Sequence, residues 1–513
     1  MGVLGAGCVG CFWDGWTLLS KVSESRTACS AVLILALALG IRLVAASGWQ
    51  ARLRDERAFA FGDSGSYWVL AQRCVRGESY RYGIDQSCAF RTPGYPLMLA
   101  ALLWFVGDDP PVLVGRWLGC ICGAVAVGLV MRLGLQLFDR MTACVAGLLA
   151  SLLPDAVGMS IWVLSEAPFV PCMLGQLSCW VAAERAGSGR RWWGWMVLAG
   201  IANGLAILMR PSWLLFVPMV AGLSGLACCF GLLGVGAKTD RRAVSVGLPS
   251  GPAEEPVRQD GGGTEADLVN RVSERLRYGG WKAPGRSLAQ QGPRILATAG
   301  GMLLVTGLVL LPWWIWTYRQ TGTWVVTTLQ TGASLYDGLR PGADGSSDMR
   351  FVEPMFRSLL AQEAVAPPPT GAPPLEVRFD RYLHAQAVAW AKAHPDEVVR
   401  LMGIKFMRMW SPWPHAAELQ SWPVRATVLI GYVPVLMAAL WGVYATWRCG
   451  WNYWLCWLPA IYFTGLHLIF ASSIRYRQPA MVCLVVLAAA TLTQLYQRWL
   501  EGRLHPPRFH PSG

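Results

Sequence analysis

Ala31-Val-Leu-Ile-Leu-Ala-Leu-Ala-Leu-Gly-Ile-Arg42-Leu-Val-Ala-Ala46 is the core of an apolar run over residues 28–47. About twenty such residues, at a helical rise of about 1.5 Å, cross a bilayer core of about 30 Å. Nine further stretches repeat the pattern: 112–137, 141–158, 160–182, 192–209, 213–236, 295–317, 423–447, 451–471 and 478–497. The chain therefore reads as an all-α polytopic membrane protein with about ten transmembrane helices. Composition agrees. Of 513 residues 54% are hydrophobic and only 15% charged, against roughly 25% charged in soluble domains. Mean hydropathy is +0.37. Disordered, collagen-like and coiled-coil chains are excluded, and 15 cysteines over this length do not make a disulfide scaffold.

Net charge is +13. In a membrane chain the basic residues first report topology, because Lys and Arg collect in cytoplasmic loops, and no nucleic-acid partner is expected. With the N-terminus inside, the cytoplasmic segments hold Lys21, Arg26, Arg140, Arg185, Arg190 and Arg191, then 238–294, Arg448, Arg498, Arg503 and Arg508. The outer segments are 48–111, 159, 210–212, 318–422 and 472–477. Lys21 and Arg26 ahead of the first span fit an uncleaved anchor. Gly94–Gly107 is apolar but short, and reads as a helix lying at the outer interface. The expected organisation is an N-terminal transmembrane module over 1–236 with the first outer loop at 48–111, a flexible cytoplasmic linker at 237–294, a span at 295–317, an outer loop domain at 318–422, and terminal helices with a short tail over 423–513. The stretch 367–374 is a stiff proline-rich linker. Leu375–His394 reads as a helix with Tyr382, Ala385, Val388 and Ala389 on one side. No internal repeat is visible.

The first outer loop carries the most information. It reads Phe61-Gly-Asp-Ser-Gly-Ser-Tyr67-Trp68, then Ala71, and later Phe90-Arg91-Thr-Pro93-Gly-Tyr95-Pro96. Asp63 either caps a short helix or faces a cleft, and the two are compatible. Further pieces lie in order along the chain: Leu164-Ser-Glu166, Met209-Arg210-Pro211, Pro312-Trp313…Tyr318-Arg319 and Ser472-Ser-Ile-Arg475-Tyr476-Arg477-Gln-Pro479.

This set resembles membrane glycosyltransferases of the GT-C fold, the class of protein O-mannosyltransferases and lipid A aminoarabinose transferases. It is more closely similar to the bacterial RgtA/B/C/D-like (PMT_2-type) group. The resemblance implies an inverting glycosyltransferase of the bacterial inner (plasma) membrane, with its active site on the extracytoplasmic side. It would move a sugar from a polyprenyl-phosphate donor to a glycan, lipid or protein acceptor. Many relatives carry two adjacent acidic residues at the first-loop motif, whereas Ser64 follows Asp63 here. No cofactor is expected, and the motif does not support a divalent metal.

The chemistry suits these residue types. The acceptor hydroxyl needs a general base, for which Asp63 is the candidate. The leaving lipid phosphate needs fixed cations, and the planar fork of arginine bonds phosphate oxygens in pairs. Arg91, Arg475 and Arg477 are placed for that task, with Lys405 and Arg408 behind them. Tyr67, Tyr95, Glu166, Arg210 and Tyr476 complete the expected substrate-binding set.

Plainer readings stand beside these. Arginines at span ends snorkel to lipid phosphates, and Arg210-Pro211 can simply end the fifth span. Lys405, Phe406, Arg408 and Trp410 can form the face of an interfacial helix. Glu166 lies inside a span, where an unpaired carboxylate is costly, and His467 reads as a hydrogen-bonded core histidine. Cys8-Val-Gly-Cys11 has no second pair to make a zinc site, and no phosphate-binding loop or dinucleotide fingerprint occurs. The competing class is a transporter or lipid-linked sugar flippase, with Arg42 and Glu166 as pathway residues. A third reading is a non-catalytic relative that binds polyprenyl lipids. Finally, only Cys74 and Cys88 fall in an outer loop, so a disulfide between them is expected.

Overall fold

The computed structural model describes residues 8–53, 55, 57–59, 61–107, 109–232, 288–415 and 420–504; for 8–28, 230–232, 288–290, 502 and 504 the backbone alone is described. The linker expected at 237–294 lies outside these residues as far as 287. The side chains of Cys8 and Cys11 lie outside them too. The described chain is helical throughout, with a single isolated β-bridge between Tyr82 and Ser87.

In chain order the elements are α1 (Cys8–Leu53), α2 (Gly62–Val75), α3 (Gly94–Val106), α4 (Leu113–Leu137), α5 (Arg140–Leu152), α6 (Pro154–Ile161), α7 (Glu166–Ala186), α8 (Arg190–Met209) and α9 (Phe216–Leu232). There follow α10 (Leu288–Thr321), α11 (Thr331–Gly338), α12 (Val352–Val365), α13 (Leu375–Ala393), α14 (Pro395–Trp410), α15 (Trp422–Thr446), α16 (Trp451–Trp454), α17 (Leu458–Ile469) and α18 (Ile474–Leu504).

Among the described residues, seven helices are long and apolar enough to cross a membrane, or eight if the bent pair α5–α6 is one span. The chain is thus an integral membrane protein, and the expected count of ten spans is not confirmed among the described residues. The expected stretch 141–158 is broken, with α6 turned by 58° from α5. Pro154 at the start of α6 has no N–H to continue the ladder. The stretch 160–182 becomes α7, which starts at Glu166 and carries Glu184 and Arg185 near its end. Packed inside the protein, α7 need not be apolar all round. The stretch 451–471 is divided between four-residue α16 and twelve-residue α17.

The break between α5 and α6 shows how the interior stays satisfied. The last carbonyls of a helix have no intrahelical partner. Arg42 from α1 supplies one: it donates to Ala150 O at 3.1 Å and Ser151 O at 3.5 Å, and to Ser160 Oγ at 3.2 Å. Arg116 from α4 does the same at the end of α6, donating to Ile161 O at 2.8 Å, Ala58 O at 3.0 Å and Gln50 Oε1 at 2.8 Å. Both arginines are fully buried. A Cβ on Gly119 would stand 2.2 Å from Ser160 O, so α4 and α6 meet at a distance only glycine permits. The central post is α18, in which Ala480–Ala490 is buried without interruption.

Between α10 and α15 lies the loop domain of α11 to α14. Its small core holds Phe356, Leu359, Phe379 and Leu383. The helix expected over Leu375–His394 is α13, and its buried residues are Glu376, Val377, Phe379, Leu383 and Ala387. Residues 367–374 are irregular. As expected, α3 is a short apolar helix, with Trp104 and Phe105 exposed.

The expected disulfide is absent: Cys74 and Cys88 are both free. Each thiol belongs to a different packing environment. Cys74 packs against the cluster that contains Tyr67 and Leu103, whereas Cys88 belongs to the one that contains Trp313 and Val325. The Cys88 N–H donates to Glu376 Oε2 at 2.6 Å, which ties the first loop to α13.

Candidate active site

The motif of the first loop becomes the N-terminus of α2. Phe61 occupies the cap position, without a side-chain cap bond, and Asp63 lies in the first turn. Its carboxylate is not spent on capping. Oδ1 accepts from Arg91 Nη2 at 2.7 Å and Oδ2 from Arg475 Nη1 at 3.0 Å. The side chain remains 38% exposed. Burial alone would raise the carboxyl pKa, but the two guanidiniums outweigh it and hold Asp63 well below the usual carboxylate range.

Glu166, at the start of α7, is completely buried and paired. Its Oε1 accepts from Arg210 Nη1 at 2.7 Å and also from Arg475 Nε. Its Oε2 lies 3.4 Å from Ser165 Oγ, which in turn accepts from Tyr67 OH at 3.1 Å. An unbroken chain therefore runs Arg91–Asp63–Arg475–Glu166–Arg210, drawing on the first loop, α2, α7, the end of α8 and the start of α18. Arg91 is further fixed by Ser66 Oγ and Gln330 Oε1, each at 3.0 Å, and stacks over the Tyr67 ring at 4.9 Å. Tyr476 lies under Arg210 and Arg475, at 5.3 and 5.6 Å, and stacks flat on His467 at 4.1 Å. His467 is the hydrogen-bonded core histidine expected, with Nδ1 2.8 Å from Ala471 O.

Two cavities meet at this chain. The smaller, about 550 Å³, is bounded by Asp63, Tyr67, Arg91, Arg210, Arg475 and Tyr476. Its far wall is polar, with Thr327, Gln330, Thr331, Ser334 and Asp337. The larger, about 910 Å³, runs along apolar side chains: Ile41, Ala45 and Trp49 of α1, Met159 of α6, and Val424 and Val428 of α15. Its polar side is lined by Arg52, Asp155, Arg408, His415 and Ser473. Ser347, Arg475 and Tyr476 line both cavities.

Not every expected residue arrives there. Tyr95 lies behind the site, buried, with its ring 5.1 Å from that of Tyr67. Arg408 lines the larger cavity only. Lys405 lines neither cavity. Its Nζ donates to the carbonyls of Gly338 at 2.9 Å, Leu468 at 3.3 Å and Ile469 at 2.6 Å, which staples the loop domain to the end of α17. Burial lowers its pKa to about 8. Arg477 does not join Arg91 and Arg475. It is fully buried, paired with Asp155 at 3.1 Å, and bonded to the carbonyls of Met409 and Ser411. The reason is helical: two residues along α18 rotate a side chain by about 200°, so Arg475 and Arg477 face opposite ways.

Gln330, Ser66 and Ser165 were missed, and nothing in their local sequence marks them. Asp155 was also missed, although an acidic residue inside an apolar stretch is itself a signal. Among the described residues, no group of three His, Cys, Asp or Glu side chains is placed to hold a metal ion.

Residues 91–226 match the family described as dolichyl-phosphate-mannose-protein mannosyltransferase, PMT_2. No curated protein sequence matches the chain. Among solved structures, the chain is similar to the oligosaccharyltransferase AglB from Archaeoglobus fulgidus in complex with an inhibitory peptide and a dolichol-phosphate. Identity there is 14% and the TM-score 0.47, over 95% of this chain and 53% of that one. It is also similar to ArnT from Cupriavidus metallidurans bound to undecaprenyl phosphate, at 14% identity and TM-score 0.37, over 90% of this chain and 77% of that one. The chain thus spans about half the length of the archaeal enzyme. Arg91, Tyr95, Glu166 and Arg210 fall within the family match, and over that segment the resemblance to PMT_2-type membrane glycosyltransferases read from the sequence is borne out.

Proposed function

We propose that the chain is an inverting glycosyltransferase that moves a sugar from a polyprenyl-phosphate donor to an acceptor hydroxyl, on the extracytoplasmic side of a bacterial inner membrane. The observation that carries this reading is the contact between Asp63 and Arg475 at the junction of the two cavities. A candidate proton acceptor and a candidate phosphate-binding cation then stand side by side where the two cavities join.

The larger cavity suits the donor. Its α1 wall from Ile41 to Arg52 runs for about 17 Å at helical rise, apolar apart from Arg52 at the end. A prenyl chain lies there, with its phosphate at Arg408 and Arg475. The smaller cavity, with its hydroxyl and amide wall, takes the acceptor. Asp63 accepts the acceptor's proton as its oxygen bonds to the anomeric carbon. The bond from that carbon to the phosphate oxygen breaks, and the electron pair leaves with polyprenyl phosphate, whose charge the arginines stabilise. The buried charges that a transporter would use are already engaged: Arg42 by main-chain carbonyls and Glu166 by two arginines.

The test is to incubate purified protein with polyprenyl-phosphate sugars and measure polyprenyl phosphate release. Asp63→Asn is expected to fold normally and lose about 10²–10⁴-fold in rate. Retention of more than about a third of wild-type rate would remove Asp63 from this role.

A further inference from the structure

As a proton acceptor Asp63 has a defect. Both its oxygens are engaged by guanidiniums, Oδ1 by Arg91 and Oδ2 by Arg475. A carboxylate so paired binds a proton poorly, whereas an efficient base has an affinity matched to its working pH. One of these partners must let go before the acceptor hydroxyl can be deprotonated.

The two arginines are not equally free to do so. Arg91 is fixed on three sides, by Asp63, Ser66 and Gln330. Arg475 is held from behind, through Nε, by the buried Glu166, and only its Nη1 reaches Asp63. It is also the arginine that lines both cavities. A phosphate arriving from the larger cavity offers Arg475 several charged oxygens in the geometry its fork prefers.

We propose that the donor's phosphate takes Arg475 Nη1 away from Asp63, so that the base is released only in a donor-loaded site, with Glu166 acting as the positioning residue that keeps Arg475 in place during the exchange. This rests on the polyprenyl-phosphate reading above. Three arginines against two carboxylates leave the chain one positive charge, enough to welcome a phosphodiester while both carboxylates stay ionised.

The test titrates undecaprenyl phosphate into the full-length protein in nanodiscs. Asp63 competes with phosphate for Arg475, so Asp63→Asn should bind about tenfold tighter, the equivalent of about 1.4 kcal/mol. Glu166→Gln removes the same unit of charge but frees Arg475 to wrap Asp63, so it should bind about tenfold weaker. Opposite signs are the signature. If both variants bind tighter by the same factor, net charge alone explains the result and the exchange is overturned. It is equally overturned if Asp63→Asn binds like the wild type. A wild type that does not bind undecaprenyl phosphate overturns the donor assignment itself, and this inference with it. Should Glu166→Gln not fold, the infrared difference spectrum of the wild type decides. Undecaprenyl phosphate should shift a carboxylate band that Asp63→Asn lacks, and no shift contradicts the exchange.

Discussion

Two regions of this protein bury arginines, and they use them in opposite ways. Around the break between α5 and α6, Arg42 and Arg116 donate to main-chain carbonyls. Arg477 joins two such carbonyls to the carboxylate of Asp155. At the junction of the cavities, Arg91, Arg210 and Arg475 donate to the carboxylates of Asp63 and Glu166 and keep a face toward open space. Carbonyls orphaned by a helix break have nowhere else to turn, so the first set is fixed. Carboxylates can exchange a guanidinium for a competing anion, which is what the proposed function asks of the second set. Arg42, Arg116 and Arg477 are fully buried, whereas Arg91, Arg210 and Arg475 keep 12–16% of their side chains exposed and line a cavity, so access to a cavity rather than the kind of partner separates the two sets.

The sharpest way to break this comparison is to remove one arginine from each region. Arg477→Met leaves Asp155 buried and unpaired, which should cost about 3–5 kcal/mol of stability. Adding Asp155→Leu should recover much of that loss, because a buried ion pair can often be replaced by apolar groups at little cost. Thermal unfolding in detergent measures both. If Arg477→Met melts like the wild type but loses donor affinity, Arg477 belongs to the site after all. Arg475→Ala should behave in the converse way, losing transfer by about 10²–10³-fold, as removal of a transition-state donor does, while remaining folded. A variant that unfolds yet transfers normally per folded molecule would erase the distinction between the two regions.

Smaller effects sharpen the picture at the seam between the loop domain and the membrane helices. Lys405→Met leaves the carbonyls of Gly338, Leu468 and Ile469 without their donor. Unsatisfied buried groups cost about 1–3 kcal/mol each at most, and limited proteolysis should show the loop domain opening first. An unchanged digestion pattern would remove Lys405 from this role. Asp85, in the turn of the first loop, is raised to about 6 by burial, with Glu376 and Asp380 adding to the rise. The folded state therefore keeps a proton that the unfolded chain loses near pH 4. Stability falls as pH rises through the window from about 4 to 6, and stays lower above it. Asp85→Asn removes that loss, so it should gain about 1 kcal/mol over the wild type at pH 8 and nothing at pH 4. An equal gain at both values would contradict the sign.

Much of the site was legible in the sequence, because costly residue types stand out against an apolar background. Asp63, Arg91, Glu166, Arg210, Arg475 and Tyr476 come together from five separate segments, as their order on one side of the chain suggested. What misled was adjacency. Arg477 sits two residues from Arg475 and so points away. Lys405 is turned inward to a set of carbonyls that no local motif encodes. The proposed pairing of Cys74 with Cys88 rested on compartment alone, whereas packing assigns the two thiols to different clusters. The count of ten spans is not confirmed, for a related reason. Helices buried inside the bundle, such as α7, need not be apolar, and the bent α5–α6 pair is legible only once Arg42 is seen to satisfy its break.

A structure of the protein with undecaprenyl phosphate bound would test the central claim most directly. The phosphate should lie within hydrogen-bond reach of Arg475 and Arg408, with the prenyl chain along α1 between Ile41 and Arg52 and Asp63 released from Arg475. A phosphate bound away from Arg475, or a prenyl chain in the smaller cavity, would contradict the account.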